Sequence, residues 1–264
     1  MPTNPDLNPD GAAGIKPVSA KLLSIKLLSK LLSSDVMVFV ITNDDGIDAP
    51  GIRSLLDAVH QMNLEAIVVA PQSQFSGCGH QVTTTQPIRV EQRSDYEYAI
   101  AGTPVDCVRI ALSHLCPHVE GVLSGINAGG NLGTDVYISG TVAAVREAAM
   151  HRISGIAFSN YRQGNREIDW AIATQRAIRV LDKLLADPVE LGTYWNVNLP
   201  QYSAQASEPD LIVCAPCTQP LPNTFRQEEG CFYYSGDYGK RTYDLGGDVE
   251  TCFSGHIALT HLSL

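Results

Sequence analysis

Two carboxylates stand side by side at Asp44 and Asp45, in the tetrapeptide Asn43-Asp44-Asp45-Gly46 that follows an apolar run. At the end of a buried strand such a pair is costly unless a cation compensates it. Hard oxygen donors of this kind suit Mg²⁺, Mn²⁺ or Ca²⁺. The same four residues are also good turn chemistry with both acids solvated. A second polar segment, Pro71 to His80, carries Ser73 and Ser76 among Gly77 and Gly79, small residues that let the backbone approach a ligand. The third segment, Ser124 to Thr141, holds Asn127, Asn131 and repeated glycines, then Ser139-Gly140-Thr141 at a predicted helix start. Free N–H groups and hydroxyls at a helix N-terminus suit an anion such as phosphate. A long loop this rich in Gly and Asn, set inside a core domain, favours function over simple connection.

Competing chemistries lack their residues. There is no phosphate-binding G-x-x-x-x-G-K-[ST] and no G-x-S-x-G elbow. Gly77-Cys78-Gly79 is half of a dinucleotide fingerprint and precedes no helical pattern. His114 and His118 have a four-residue spacing, but Pro117 lies between them and no Glu follows His114, so they read as a helix end. Cys214 and Cys217 form a lone C-x-x-C without a second pair, which reads as two small buried residues near a strand end.

The elements that must position these residues follow from hydrophobic patterning. Val36 to Thr42 is a continuous apolar run of strand length, as in a parallel sheet buried on both faces. Pro50 to Met62 predicts a helix with Ile52, Leu55, Leu56 and Val59 on one face. Glu65 to Ala70, Gly121 to Ser124, Gly155 to Ser159, Tyr194 to Leu199 and Asp210 to Cys214 predict further strands. Thr103 to Leu115, Ser139 to Met150 and Trp170 to Ala186 predict helices between them. Strands and helices alternating in this way predict a doubly wound, mostly parallel α/β sheet. In such a sheet ligands bind beyond the carboxyl ends of the strands, where all three polar segments fall. From Gln219 to Asp248 aromatics, glycines and charges mix without helical period, predicting a β-hairpin excursion outside the main sheet.

Composition sets the frame. The 264 residues are 44% hydrophobic, enough for one large α/β domain with a full core. A net charge of −10 argues against binding DNA or RNA duplexes, where a basic footprint is expected. It leaves room for a small nucleotide, because a local metal ion can reverse the field at a pocket. The seven scattered cysteines predict reduced thiols in a cytoplasmic protein. Residues 1–36 read as an N-terminal extension: a polar start, then a basic amphipathic pattern that lysines interrupt too often for a transmembrane span. Met37 stands at the beginning of the first strand, where the main domain, residues 37–264, begins.

Taken together, these residues resemble the SurE family, the stationary-phase survival phosphatases. The matching segments are Ile41 to Ile52, Ala70 to Gly77, Gly102 to Val108, Ser124 to Ala148 and, more weakly, Asn196 to Pro200. The resemblance implies a Rossmann-like core and a divalent-metal-dependent 5′-nucleotidase acting on nucleoside monophosphates. Carried over by position, Asp44, Asp45, Ser76 and Asn127 would bind the Mg²⁺ or Mn²⁺ ion, and Asn131, Ser139, Gly140 and Thr141 would contact the phosphate. Asp44, Asp45, Asn131 and Ser139 would then be the catalytic set. Departures are Gly130 where the family usually has Pro, Thr134 in place of a common acidic residue, and the order Tyr137-Ile138. The resemblance also implies an oligomer. The chain ends at Leu264, without the segment that many members exchange between subunits, so a homodimer is expected rather than a tetramer.

The mechanism so implied places a metal ion against a phosphoryl oxygen, with either an activated water or the Asp44 carboxylate attacking. Two other classes compete. One is a nucleotide-binding regulatory module without turnover, which the intact acid pair argues against. The other is an NAD-dependent oxidoreductase on the same fold class, which lacks its G-x-G-x-x-G.

Overall fold

A computed structural model describes residues 38–187, 190–202 and 207–264. The expectations for residues 1–36 lie outside the described residues. The first strand, β1 (Val38–Thr42), is buried along its whole length, as its unbroken apolar run requires. Alternation along it feeds two separate cores. Phe39 and Ile41 join the cluster on one face, Val38 and Val40 the cluster on the other.

Helix α1 (Pro50–Gln61) starts with Pro at its first position and buries Ile52, Leu55 and Val59. Strand β2 (Glu65–Pro71) follows and pairs parallel with β1. An edge hairpin comes next, β3 (Val90–Ser94) and β4 (Glu97–Ile100), with β4 parallel to β2. Helix α2 (Pro104–Ile110) opens with a capping box, Thr103 accepting from the Asp106 N–H and Asp106 accepting from the Thr103 N–H. Strand β5 (Gly121–Asn127) pairs with β1 on the side away from β2. Helix α3 (Gly140–Met150), β6 (Ser154–Asn160), α4 (Trp170–Leu184) and β7 (Thr193–Leu199) complete the parallel run.

Strand β8 (Leu211–Val213) lies at one edge of the sheet. The last strand, β11 (Ile257–Ser263), runs antiparallel to β7 and parallel to β8. Among the described residues the sheet thus has nine strands, in the order β3-β4-β2-β1-β5-β6-β7-β11-β8. Helices α1 and α4 cover one face with Leu55, Val180 and Leu181, and α2 and α3 the other with Cys107, Val108, Ala144 and Ala148. Each large aliphatic side chain so enclosed contributes about 1.5–3 kcal/mol. Among the described residues no helix is long and apolar enough to cross a membrane.

The fold is therefore the doubly wound, mostly parallel sheet that the patterning predicts, with the excursion present as the hairpin β9 (Phe225–Glu228) and β10 (Cys231–Tyr234). Four details differ. The expected strand at Gly121 continues to Asn127, so a proposed ligand sits on the strand itself. The expected helix at Thr103 to Leu115 tightens its α-helical part to Pro104–Ile110 and ends in a wider turn over Ala111–Leu115. The expected strand at Asp210 to Cys214 shortens to Leu211–Val213. The β3–β4 hairpin carries no continuous apolar run, because β3 is a largely exposed edge strand whose residues after Val90 are Glu, Gln, Arg and Ser.

Candidate active site

The chain reverses its direction of winding between β1 and β5, which makes the crevice beyond their carboxyl ends the natural ligand site. Asn43 shapes the turn after β1. Its amide donates to Gly46 O at 2.8 Å and its Oδ1 accepts from the Gly46 N–H at 3.2 Å. Gly46 sits at φ +101°, a conformation that favours glycine. Asp44 is thereby held inward, 5% exposed, and Asp45 half-buried.

The three polar segments are tied to one another. Phe75 N–H donates to Asp44 O at 2.7 Å, joining the loop after β2 to the turn after β1. Ala128 N–H donates to Asp45 Oδ2 at 3.0 Å, joining the end of β5 to the same turn. Gln74 Nε2 donates to Ser76 Oγ at 2.8 Å. Gly79 N–H donates to Ile138 O at 3.0 Å, and His80 Nε2 pairs with Glu147 Oε2 at 2.8 Å. These contacts clamp the Ser76 loop to α3. Burial raises the Glu147 carboxyl, but bonds from His80, Arg109 and His151 outweigh it and hold the group down at about 2.

Asp44, Ser76, Asn127, Asn131 and Ser139 line one cavity of about 450 Å³. Asp45 is not among the lining residues; it stands half-buried next to Asp44, with its Oδ2 held by the Ala128 N–H. Gly140 lies outside the lining because it packs directly on Asp44: an added Cβ would stand 2.9 Å from Asp44 Cβ and 2.8 Å from Cys78 Sγ. Only glycine allows α3 to approach the acid this closely. Thr141 is fully buried and its hydroxyl donates to Asp44 Oδ1. That hydroxyl was expected on a phosphate; the fold commits it to the carboxylate instead.

The donor set fits a hard divalent cation. Neither Asp44 nor Asp45 has a Lys, Arg or His partner among the described residues. Burial, then the neighbouring Asp45 charge, push the Asp44 carboxyl up to about 6 in spite of the Thr141 hydrogen bond. Asn127 commits its amide nitrogen to Gly129 O at 2.9 Å and keeps its carbonyl oxygen for a ligand. Among the described residues no group of three or more His, Cys, Asp or Glu side chains could hold a metal ion, so a cation here would depend on two carboxylates with hydroxyl and amide oxygens. Cys78 is close by, but burial and then the Asp44 charge push its thiol up to about 11, which keeps it neutral.

At the start of α3, Ser139 caps the helix by accepting from the Val142 N–H at 3.1 Å. Its O–H stays free to donate. Asn131 is fixed from four directions. Its N–H donates to Asn198 Oδ1 at 2.8 Å and its Nδ2 to Ser159 Oγ at 2.7 Å. Its carbonyl accepts from Asn196 and Asn198 at 2.8 and 2.9 Å.

Sequence reasoning missed these supports. Asn196 and Asn198 are fully buried on one side of β7, and two polar residues at alternate positions of a buried strand were the available signal. It also missed Asp135, which accepts from the Leu132 N–H, the Tyr238 hydroxyl and Arg241 Nη1, and so joins the Asn131 loop to the C-terminal excursion.

Comparison with known proteins identifies the family. The family model described as survival protein SurE matches residues 39–220. A putative 5′-nucleotidase of Nostoc sp. is 56% identical over 226 residues, covering 86% of this chain and 99% of its own. A 5′-nucleotidase SurE of Clostridium botulinum is 35% identical over 236 residues, covering 86% and 92%. Among solved structures, that of the SurE protein from Aquifex aeolicus superposes with a TM-score of 0.75 at 28% identity, covering 86% of this chain and 93% of that one. A family model spanning most of the sheet, relatives matched over nearly their whole length and a superposable structure carry one conclusion: the chain belongs to the SurE family.

Proposed function

We propose that the chain is a divalent-metal-dependent phosphomonoesterase that hydrolyses nucleoside monophosphates, as a 5′-nucleotidase, and related small phosphate esters. The observation that carries this reading is the inward-held Asp44 carboxylate, next to Asp45 and without a cationic partner, in a cavity that also meets Ser139 at the N-terminus of α3. The names of the relatives point to the same class of substrate.

Asp44, Asp45, Ser76 and Asn127 would hold Mg²⁺ or Mn²⁺, and what the ion supplies is positive charge against a phosphoryl oxygen. The Ser139 O–H and the Gly140 N–H bind other phosphoryl oxygens, assisted by the helix dipole. Asn131 is locked in place by Ser159, Asn196 and Asn198, so its remaining amide hydrogen meets the phosphate without reorganisation. Thr141 acts through Asp44 by holding its carboxylate. The exposed aromatics Phe232, Tyr233 and Tyr234 of the hairpin suit coverage by a second copy of the chain, which makes a homodimer the proposed assembly.

The direct test is hydrolysis of a 5′-nucleotide and of p-nitrophenyl phosphate by the full chain, before and after EDTA and after Mg²⁺ or Mn²⁺ is restored. Loss and recovery of phosphate release is the expected result. Activity indifferent to EDTA would remove the metal from the proposal, and no release under any metal would favour a regulatory nucleotide-binding role.

Thr141→Val preserves shape and removes the bond to Asp44. A hydrogen bond to a charged group contributes about 1.5–3 kcal/mol, so the metal concentration for half-maximal activity is expected to rise roughly ten- to hundredfold. A metal requirement equal to that of wild type would show that Thr141 does not tune Asp44.

A further inference from the structure

Ser76 is placed unlike the other proposed ligands. Asp44 and Asp45 follow β1 directly and Asn127 ends β5. Ser76 is exposed in a loop, with Gly77 at φ +70° and Gly79 at φ +57°. Glycines give such a stretch the most freedom to lose on folding, so its order must come from its anchors. On the near side the Gln72 N–H donates to Ile100 O at 2.8 Å and the Phe75 N–H to Asp44 O at 2.7 Å. On the far side the anchors are the Gly79 N–H, bonded to Ile138 O, and the ring of His80. The Gln74 amide also supports the Ser76 hydroxyl at 2.8 Å, but Gln74 belongs to the loop and moves with it.

The His80 ring is held at both nitrogens. Arg146 Nε donates to its Nδ1 at 3.1 Å. An Nδ1 that accepts puts the ring hydrogen on Nε2, which donates to Glu147 Oε2 at 2.8 Å. Glu147 is a fixed point. It is 1% exposed, and its other oxygen takes Arg109 Nε from α2 at 2.5 Å and His151 Nε2 at 3.1 Å. Arg146 is fixed in turn by its Nη1, which donates to Val136 O at 3.3 Å in the turn that leads to Ser139. His80 therefore ties the Ser76 loop to α3 and to the segment that enters it.

We propose that His80 is a positioning residue for the metal site: by joining Arg146 to Glu147 it holds the Ser76 loop against the Asp44 turn, and so strengthens the binding of a divalent cation there. The inference rests on the metal-dependent reading above and adds to it a residue that touches neither the ion nor the substrate. Outer partners that orient a metal ligand typically contribute about ten- to hundredfold in affinity. His80 acts on Ser76 through the backbone of the loop rather than by a direct bond, which places its effect at the lower end of that range.

The test measures Mn²⁺ binding to the full chain without substrate, by calorimetry or electron paramagnetic resonance. Melting in EDTA and hydrolysis of p-nitrophenyl phosphate at saturating Mn²⁺ accompany it. His80→Leu and His80→Ala remove both ring bonds, whereas His80→Gln keeps an amide N–H for Glu147 and an oxygen for Arg146. The Mn²⁺ dissociation constant is expected to rise about tenfold in His80→Leu and His80→Ala, and to stay within about threefold of wild type in His80→Gln. At saturating Mn²⁺, kcat should stay within about threefold of wild type in all three, because His80 touches no reacting atom. On a Ser76→Ala background, His80→Leu should weaken Mn²⁺ binding no further, since its effect runs through Ser76. Unchanged affinity in both apolar variants, a loss that persists in full beside Ser76→Ala, or no recovery in His80→Gln would overturn the positioning role. Loss of a cooperative melt in both apolar variants would overturn it too, and make His80 a support of the fold. In each of those cases Mn²⁺ binding by wild type, abolished in Asp44→Asn, would leave the metal reading intact. A wild-type chain that binds no Mn²⁺ would overturn the metal reading and this inference together.

Discussion

Asp44→Asn should lower turnover by roughly a thousandfold or more, about 4 kcal/mol of barrier, and yet leave the metal-free protein more stable than wild type at neutral pH. Both effects have one origin. The carboxylate is 5% exposed, beside Asp45 and without a cationic partner, so the folded chain holds a charge it would rather lose. Its carboxyl is raised from 3.8 to about 6, which means the folded state binds the proton more tightly than the unfolded state. Stability from this group is therefore lost as pH rises from about 4 through 6, the reverse of an ordinary paired carboxylate. Asparagine carries no charge to desolvate and still accepts the Thr141 hydrogen bond. Above pH 6 in EDTA its gain should be on the order of 2–3 kcal/mol, the free-energy equivalent of raising the carboxyl from 3.8 to about 6. Melting with and without chelator, alongside phosphate release, checks both halves. A variant that keeps near-full metal-dependent activity would refute the site, and one that melts lower than wild type in EDTA would refute the electrostatic account.

The largest loss of stability is expected from Arg241→Met. The Arg241 side chain is fully buried, with Nη1 bonded to Asp135 Oδ2 at 3.0 Å and the guanidinium 5.0 Å from the Tyr238 ring centroid. Removing it strands the Asp135 carboxylate, 6% exposed, without its cation. Breaking one side of a buried pair costs about 3–5 kcal/mol. In a domain of this size that is a fall of roughly 10 °C in melting temperature. Adding Asp135→Asn should recover most of the loss, because the amide oxygen still accepts from Leu132 N–H and no charge is left behind. Recovery is expected on a second ground. The Nε and Nη2 atoms of Arg241 have no hydrogen-bond partner, so the native pair is imperfectly satisfied. A double variant no more stable than Arg241→Met would mean that the guanidinium acts through packing on Tyr238 rather than through charge. The single variant should also slow phosphate release, since Asp135 ties the excursion to the loop that carries Asn131.

Much of this protein is written locally. The unbroken apolar run of β1 can only be a strand covered on both faces, and Ile52, Leu55 and Val59 recur at the spacing of one helical face, so the parallel α/β sheet follows from periodicity. The acid pair, the glycine-rich loop and the Ser139 cap are contiguous motifs, and their places after strands or before a helix put them at one end of the sheet. Tertiary structure decided what depends on partners far along the chain. The Thr141 hydroxyl meets Asp44 across 97 positions, and Asn131 meets Asn198 across 67. Asp135 meets Arg241 across 106. No local spacing encodes such pairings, because they arise only when burial forces each polar atom to find an acceptor or donor. The edge hairpin and the antiparallel docking of β11 against β7 belong to the same class. An edge strand needs little apolar sequence, and the direction of a last strand is set by the space left beside its neighbour rather than by its own residues.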